Sequence, residues 1–104
     1  MSKYRNVKTE IDGITFHSKR EAKYYTDLKL MERAGEIRQL ELQPKFPCVI
    51  AGKKVCDYIA DFQFREKDGR LRVVDVKGMK TAVFNMKRKL VEALYPHITV
   101  EIWK

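Results

Sequence analysis

Long apolar runs are missing from this chain: nowhere do about 18 hydrophobic residues follow one another, so no membrane-spanning helix is expected. The N-terminus is polar and basic with no apolar segment behind it, which argues against a secretory signal and for an intracellular protein. Only two cysteines occur, Cys48 and Cys56, with no histidine near either. They make a poor zinc set and are expected as reduced thiols packed like small hydrophobes. The two histidines are isolated: His17 precedes a predicted helix and stands near Glu21, while His97 precedes the last strand, and each reads first as a surface or packing residue. Acidic charge is scarce. Against 22 Lys+Arg there are 14 Asp+Glu, giving a net charge of +8 and a pI near 9.6. That balance draws the protein to polyanions such as nucleic acid without choosing between DNA, RNA and an anionic membrane. No repeat, low-complexity segment or linker divides the 104 residues, so 1–104 reads as a single domain with one core, 1–17 forming a basic arm and hairpin and 18–104 the body.

The turn and capping signals order the chain. Met1 to Lys8 carries the basic arm, with Lys3, Tyr4 and Arg5. Asp12-Gly13, flanked by Ile11 and Ile14, is a hairpin signal. Ser18-Lys19-Arg20-Glu21 is a capping box, and Ala22, Tyr25, Leu28 and Met31 recur at helical spacing up to Gly35, which predicts a helix over 19–34. Alternation then predicts an edge strand over 37–50, broken or bulged by Pro44 and Pro47. A turn at Ala51-Gly52-Lys53 leads to a strand over 55–64, and Lys67-Asp68-Gly69 to another over 71–77. Cys48 and Cys56 face one another if the first turn is a three-residue loop. A helix over 82–94 follows, with Val83, Met86, Leu90 and Ala93 or Leu94 as its inward stripe and Lys87, Arg88 and Lys89 largely outside it. Ile98, Val100 and Ile102 alternate in a last strand, placed parallel to the third by the helical crossover. The expected class is α/β, an α-β-β-β-α-β core with a mixed sheet.

Within that order one constellation stands out. Asp61 is followed by Val74-Asp75-Val76-Lys77-Gly78, and residues two apart on a strand share a face, so Asp75 and Lys77 project together while Val74 and Val76 point the other way. If Lys67-Asp68-Gly69 is a three-residue loop, Glu66 faces Arg70 and Asp61 becomes the direct neighbour of Asp75. One face then carries Tyr58, Ala60, Phe62, Val74 and Val76, and the other Ile59, Asp61, Gln63, Val73, Asp75 and Lys77. Adjacent carboxylates repel. Bound to magnesium, or to manganese, they become a ligand set completed by the Val76 carbonyl, phosphate oxygens and water, with Lys77 beside the scissile phosphate or the attacking water.

These residues resemble the PD-(D/E)XK nuclease superfamily over nearly the whole chain, from the helix bearing Glu21 through Asp61 and Asp75-Val76-Lys77 to the basic helix and last strand. More narrowly, Lys3-Tyr4-Arg5-Asn6, Asp12-Gly13-Ile14-Thr15-Phe16, Ser18-Lys19-Arg20-Glu21-Ala22, Leu40-Glu41-Leu42-Gln43-Pro44 and Asp75-Val76-Lys77-Gly78-Met79-Lys80-Thr81 are similar to small phage proteins of endonuclease or resolvase-like type. The spacing of Glu21, Asp61, Asp75 and Lys77 is similar to that of Holliday-junction resolvases. Ala60 stands at the place of the motif proline and Asp75 where many members carry glutamate. The resemblance implies a restriction-endonuclease-like core and a homodimeric, magnesium-dependent endodeoxyribonuclease acting on branched DNA, needing no membrane and no small-molecule cofactor. If phage-encoded, it would work in the cytoplasm of a bacterial host. Its site would use Glu21, Asp61, Asp75 and Lys77, with Glu21, Asp61, Asp75 and the Val76 carbonyl around the metal.

Each residue also has a plainer reading. Glu21 completes a helix cap, and Asp75 with Lys77 is a simple ion pair. Lys3, Arg5, Lys19, Arg20, Lys80, Lys87 and Arg88 are solvated singly but together border the site and would hold phosphates without reading sequence. Tyr4 or Tyr24 is suited to stacking on an unpaired base, whereas Tyr25 and Tyr58 read as core. Tyr95, Ile102 and Trp103 are candidates for the dimer interface. The rivals to a junction-selective nuclease are a non-catalytic basic binding module and an endonuclease of linear or flapped DNA.

Overall fold

A computed structural model describes residues 8–104; the expected arm, with Lys3, Tyr4 and Arg5, lies outside the described residues. Asp12 and Gly13 both take positive φ, 55° and 75°, forming the tight turn that joins β1 (Thr9–Ile11) to β2 (Ile14–Phe16). Ser18 then caps α1 (Lys19–Arg33), its hydroxyl accepting from the Glu21 amide at 3.1 Å. Gly35, at φ 76°, ends the helix beyond Ala34.

Four strands build a mixed sheet in the order β3 (Ile37–Leu42), β6 (Phe62–Glu66), β7 (Leu71–Val76), β8 (Val100–Trp103). The first three pair antiparallel, and α2 (Ala82–Leu94) carries the chain across to β8, parallel to β7. Between β3 and β6 is inserted a separate ribbon of β4 (Lys45–Ile50) and β5 (Lys53–Ile59). The sheet is covered on both faces. Phe62, Phe64 and Val74 pack with Ala22, Tyr25 and Leu28 of α1, while Val73 and Val100 pack with Phe84 and Val91 of α2 and with Phe46 and Tyr58 of the ribbon.

The 37–50 strand breaks at Pro44 as expected but runs on through Pro47, and the strand expected over 55–64 is also broken in two. The 37–50 stretch stops at Gln43, whose φ is 51°, and at Pro44, which has no amide to donate. The 55–64 stretch stops at Ala60-Asp61, where the Ala60 amide donates to the Pro44 carbonyl and the Asp61 amide to that of Val74. The ribbon leaves the sheet at this double break, which corrects the face assignment. Tyr58 and Ala60 join Val73 on the α2 side instead of sharing a face with Phe62 and Val74. Val73 and Asp75, expected on a charged face, are core residues at 1% and 2% exposure, because β7 is a central strand buried on both sides.

Helix α2 has the expected bounds but a different inward face. Phe84 and Val91 are buried and Leu90 packs against the core as expected, whereas Val83 and Met86 are 58% and 64% exposed. The helix carries two apolar stripes, and the one holding the aromatic ring wins because Phe84 reaches Tyr58 and the core. That rotation turns Lys87 and Arg88 toward the ribbon. The Lys87 ammonium donates to the Asp57 carbonyl at 3.3 Å, and Arg88 is half-buried with its Nε shielded from solvent.

The ribbon turn has two residues rather than three, Ala51 and Gly52, both at positive φ. A register shift between Cys48 and Val49 restores Cys48 opposite Cys56, so the expected pairing arises through a bulge, and both thiols are free. The three residues considered for a dimer interface serve the chain's own packing. Tyr95 donates to the Pro47 carbonyl at 2.7 Å, Ile102 packs on the α2-side cluster, and Trp103 lies against Tyr24 and Phe64. Tyr24, considered for base stacking, is occupied by that contact and by donation to the Lys104 carbonyl.

Candidate active site

The β6–β7 hairpin has the register its sequence predicts. Phe62 pairs with Val74 and Gln63 with Val73, and the Glu66 amide donates to the Arg70 carbonyl at 3.0 Å across Lys67-Asp68-Gly69. The paired ladder ends at Phe62 and Val74; beyond it the Asp61 amide donates to the Val74 carbonyl at 3.1 Å, and the Asp61 carboxylate comes close enough to that of Asp75 to interact with it. Asp61 lies at the bend where the ribbon departs, and its Oδ2 accepts the Val76 amide at 2.6 Å. Asp75 sits at 2% exposure with one oxygen held from each side. Its Oδ2 accepts from the Tyr58 hydroxyl at 2.5 Å, and its Oδ1 lies 3.5 Å from the Lys77 ammonium. Lys77 in turn rests 5.0 Å from the centroid of the Phe84 ring.

Glu21 reaches the same place from the first turn of α1. Ser18 caps its amide, but among the described residues the Glu21 carboxylate returns no hydrogen bond to Ser18, so the capping box is only half made. The carboxylate lines a cleft of about 710 Å³ together with Asp61, Lys77, His17, Arg20 and Met79. Arg20 lies over Gly78, where an added Cβ would meet its guanidinium at 3.6 Å. Lys19 and Lys80 are exposed nearby in sequence, on either side of these elements, whereas Lys87 and Arg88 turn to the ribbon.

Crowding of carboxylates sets the electrostatics. Burial pushes Asp61 up to about 7; the Val76 amide opposes that rise, and the charges of Asp75 and Glu21 add to it. Glu21 is also raised, first by burial and then by Asp75, with His17 and Lys77 pulling the other way. Tyr58 is driven far above its ordinary range by burial and by donating to Asp75, so it remains a hydrogen-bond donor. Glu21 and Asp61 thus share the cleft with Lys77, which is ion-paired to the buried Asp75 behind it.

Among the described residues no three His, Cys, Asp or Glu side chains form one metal-holding group. The paired oxygens of Asp61 and Asp75 still suit a hard divalent cation, since magnesium commonly takes one or two protein carboxylates and fills its other positions with water and phosphate. The donor chemistry therefore fits, with Asp61 and Asp75 as the residues that would hold the ion. Sequence reasoning placed Tyr58 in the core but missed its bond to Asp75. The signal was out of reach because alternation along an unbroken strand sets Tyr58 and Asp75 on opposite faces, and only the bend at Ala60-Asp61 brings them together.

Fold and cleft together define an α/β protein with a mixed sheet, covered by a helix on each face, and a carboxylate–lysine cluster at the ends of its central strands. The whole chain, residues 1–104, matches the family described as "Protein of unknown function (DUF1064)", and the protein belongs to that family. No curated protein and no solved structure matches it.

Proposed function

We propose that this protein is a divalent-metal-dependent endodeoxyribonuclease of the PD-(D/E)XK type, with a restriction-endonuclease-like core, acting on branched DNA as a homodimer. The observation that carries this reading is the meeting of Glu21, Asp61 and Lys77 in one cleft, from α1, the β5–β6 bend and the end of β7, with the buried Asp75 paired to Lys77 directly behind them. A bound divalent cation would supply Lewis-acid charge and an activated water. Asp61 and Asp75 would hold it, and Glu21 would order its water shell. Lys77, tethered by Asp75 and the Phe84 ring, presents a fixed positive charge toward the phosphate and stabilises negative charge as it develops. Arg20 at the rim, with Lys19 and Lys80, holds the DNA backbone, which confers affinity without base preference.

The direct test is cleavage of a four-way junction, a flap and a linear duplex, each with magnesium, manganese or EDTA. Junction cleavage that needs the metal is expected, and Asp75→Asn or Lys77→Ala should abolish it while leaving DNA affinity and circular dichroism nearly unchanged. Variants that still cut at the wild-type rate would remove this site from consideration. A non-catalytic binding module is the second reading, favoured by the Asp75–Lys77 ion pair and by the lack of a three-residue metal group among the described residues. It predicts tight DNA binding with no cleavage of any substrate in any metal. Sedimentation of the junction complex should show two protomers, since resolving a junction requires two cuts; a monomer that nicks one strand would leave a simpler endonuclease.

A further inference from the structure

We infer that Tyr58 is a positioning residue, which orients the Asp75 carboxylate for a divalent cation; the inference rests on the metal site of the proposed function and not on its nuclease chemistry. A carboxylate at 2% exposure needs donors. The structure provides two of different kinds, one for each oxygen. Lys77 stands on the cleft side of Asp75 at 3.5 Å, while Tyr58 stands on the core side at 2.5 Å. A second cation on the core side would cancel the charge that draws a metal ion. A phenol does not: it satisfies Oδ2, fixes the rotation of the carboxylate and leaves its negative charge in place.

The supports of these two donors are themselves joined. The Tyr58 ring lies 6.3 Å from those of Phe46 and Phe84, and the same Phe84 ring carries the Lys77 ammonium at 5.0 Å. Asp75, Tyr58, Phe84 and Lys77 therefore form a closed circuit of contacts in which neither carboxylate oxygen moves without disturbing an aromatic ring. Tyr58 is 3% exposed and belongs to the ribbon rather than to the sheet that carries Asp75. A packing role alone would be met by phenylalanine, so the hydroxyl is the part to test.

Tyr58→Phe keeps the ring and removes that donor. The matched control is Tyr25→Phe, which deletes another tyrosine–aspartate bond, from Tyr25 to Asp12 at 2.9 Å, beside a groove that none of the carboxylate cleft's residues line. Binding of manganese to the full-length protein is measured by calorimetry, without DNA. Tyr58→Phe should weaken manganese binding by about tenfold or more, while Tyr25→Phe lowers the melting temperature and leaves manganese affinity unchanged. Equal manganese affinity in wild type and Tyr58→Phe overturns the inference, as does an equal loss in both variants. If Tyr58→Phe does not fold, the hydroxyl proton of Tyr58 in the wild type is followed by NMR during magnesium titration; a saturable shift supports the inference and an unmoved resonance overturns it. Wild-type protein that binds manganese with this dependence on Tyr58 but cuts no DNA would sink the nuclease reading alone. Wild-type protein that binds no manganese overturns both.

Discussion

At the scale of the residue, Asp61 is the group whose environment differs most usefully between folded and unfolded chain. Held at about 7 in the fold against 3.8 in its absence, it keeps its proton over a window in which the unfolded chain has released it. The folded state then binds more protons, so the contribution of Asp61 to stability is fully present below about pH 4 and is lost as pH rises toward 7. The steepest slope is about 1.4 kcal/mol per pH unit. Glu21, raised for the same first reason, acts in the same direction. Asp61→Asn keeps an oxygen for the Val76 amide but cannot ionise. Denaturant unfolding of the metal-free protein should show wild type losing stability relative to Asp61→Asn between pH 4 and 7, with magnesium reversing the loss in wild type only. Parallel pH profiles for the two proteins would mean that Asp61 titrates as an ordinary surface acid.

At the scale of the element, α2 offers a choice between two apolar faces, and the structure makes it testable. Phe84 and Val91 face the core at 7% and 0% exposure, while Met86 stands at 64%. Phe84→Ala should cost about 3–5 kcal/mol and Val91→Ala somewhat less, by loss of burial plus a cavity. Met86→Ala should stay within about 0.5 kcal/mol. Urea unfolding of the three variants decides it, and a large effect at Met86 with none at Phe84 would restore the face that periodicity favours. The elements themselves were legible: the Ser18 cap and Gly35 bounded α1 within a residue, the amphipathic pattern bounded α2, and the turn at Lys67-Asp68-Gly69 fixed the β6–β7 register that ends beside Asp61 and Asp75. What periodicity could not supply was which of two stripes meets the core, since that depends on where the ribbon carrying Tyr58 comes to rest. The break at Gln43-Pro44 was signalled by the proline, but nothing signalled the one at Ala60-Asp61, because a bend between alanine and aspartate leaves no composition signal. The site's charged members were visible because Glu21 lies on α1, Asp75 on β7, and Asp61 and Lys77 directly beside the ends of β6 and β7, and its core-side partner was hidden because it lies beyond a break.

At the scale of the whole molecule, the excess of positive charge is spent unevenly. Arg70 and Arg72 are tied to Glu66 and Glu101, Lys45 and Lys54 to Asp57, and Lys23 and Lys29 to acids on their own helix. Lys19, Arg20 and Lys80 have no ion pair among the described residues, and Arg20 borders the cleft. Lys87 and Arg88 look like part of the same basic set in the sequence, but the rotation of α2 engages one with the Asp57 carbonyl and half-buries the other. A polyanion tracking across the cleft would therefore release counterions at Arg20 and Lys80 and not at Lys87 and Arg88. For duplex DNA each lost phosphate contact lowers the log–log salt slope by about 0.9, so Arg20→Ala with Lys80→Ala should flatten it by roughly 2. Lys87→Ala with Arg88→Ala should leave the slope as it is, even if the ribbon loosens and the melting temperature falls. Fluorescence anisotropy over a range of potassium chloride concentrations measures both. A slope that falls with the α2 pair and ignores Arg20 and Lys80 would move the DNA path off the cleft and onto the helix, and would separate binding from the carboxylates altogether.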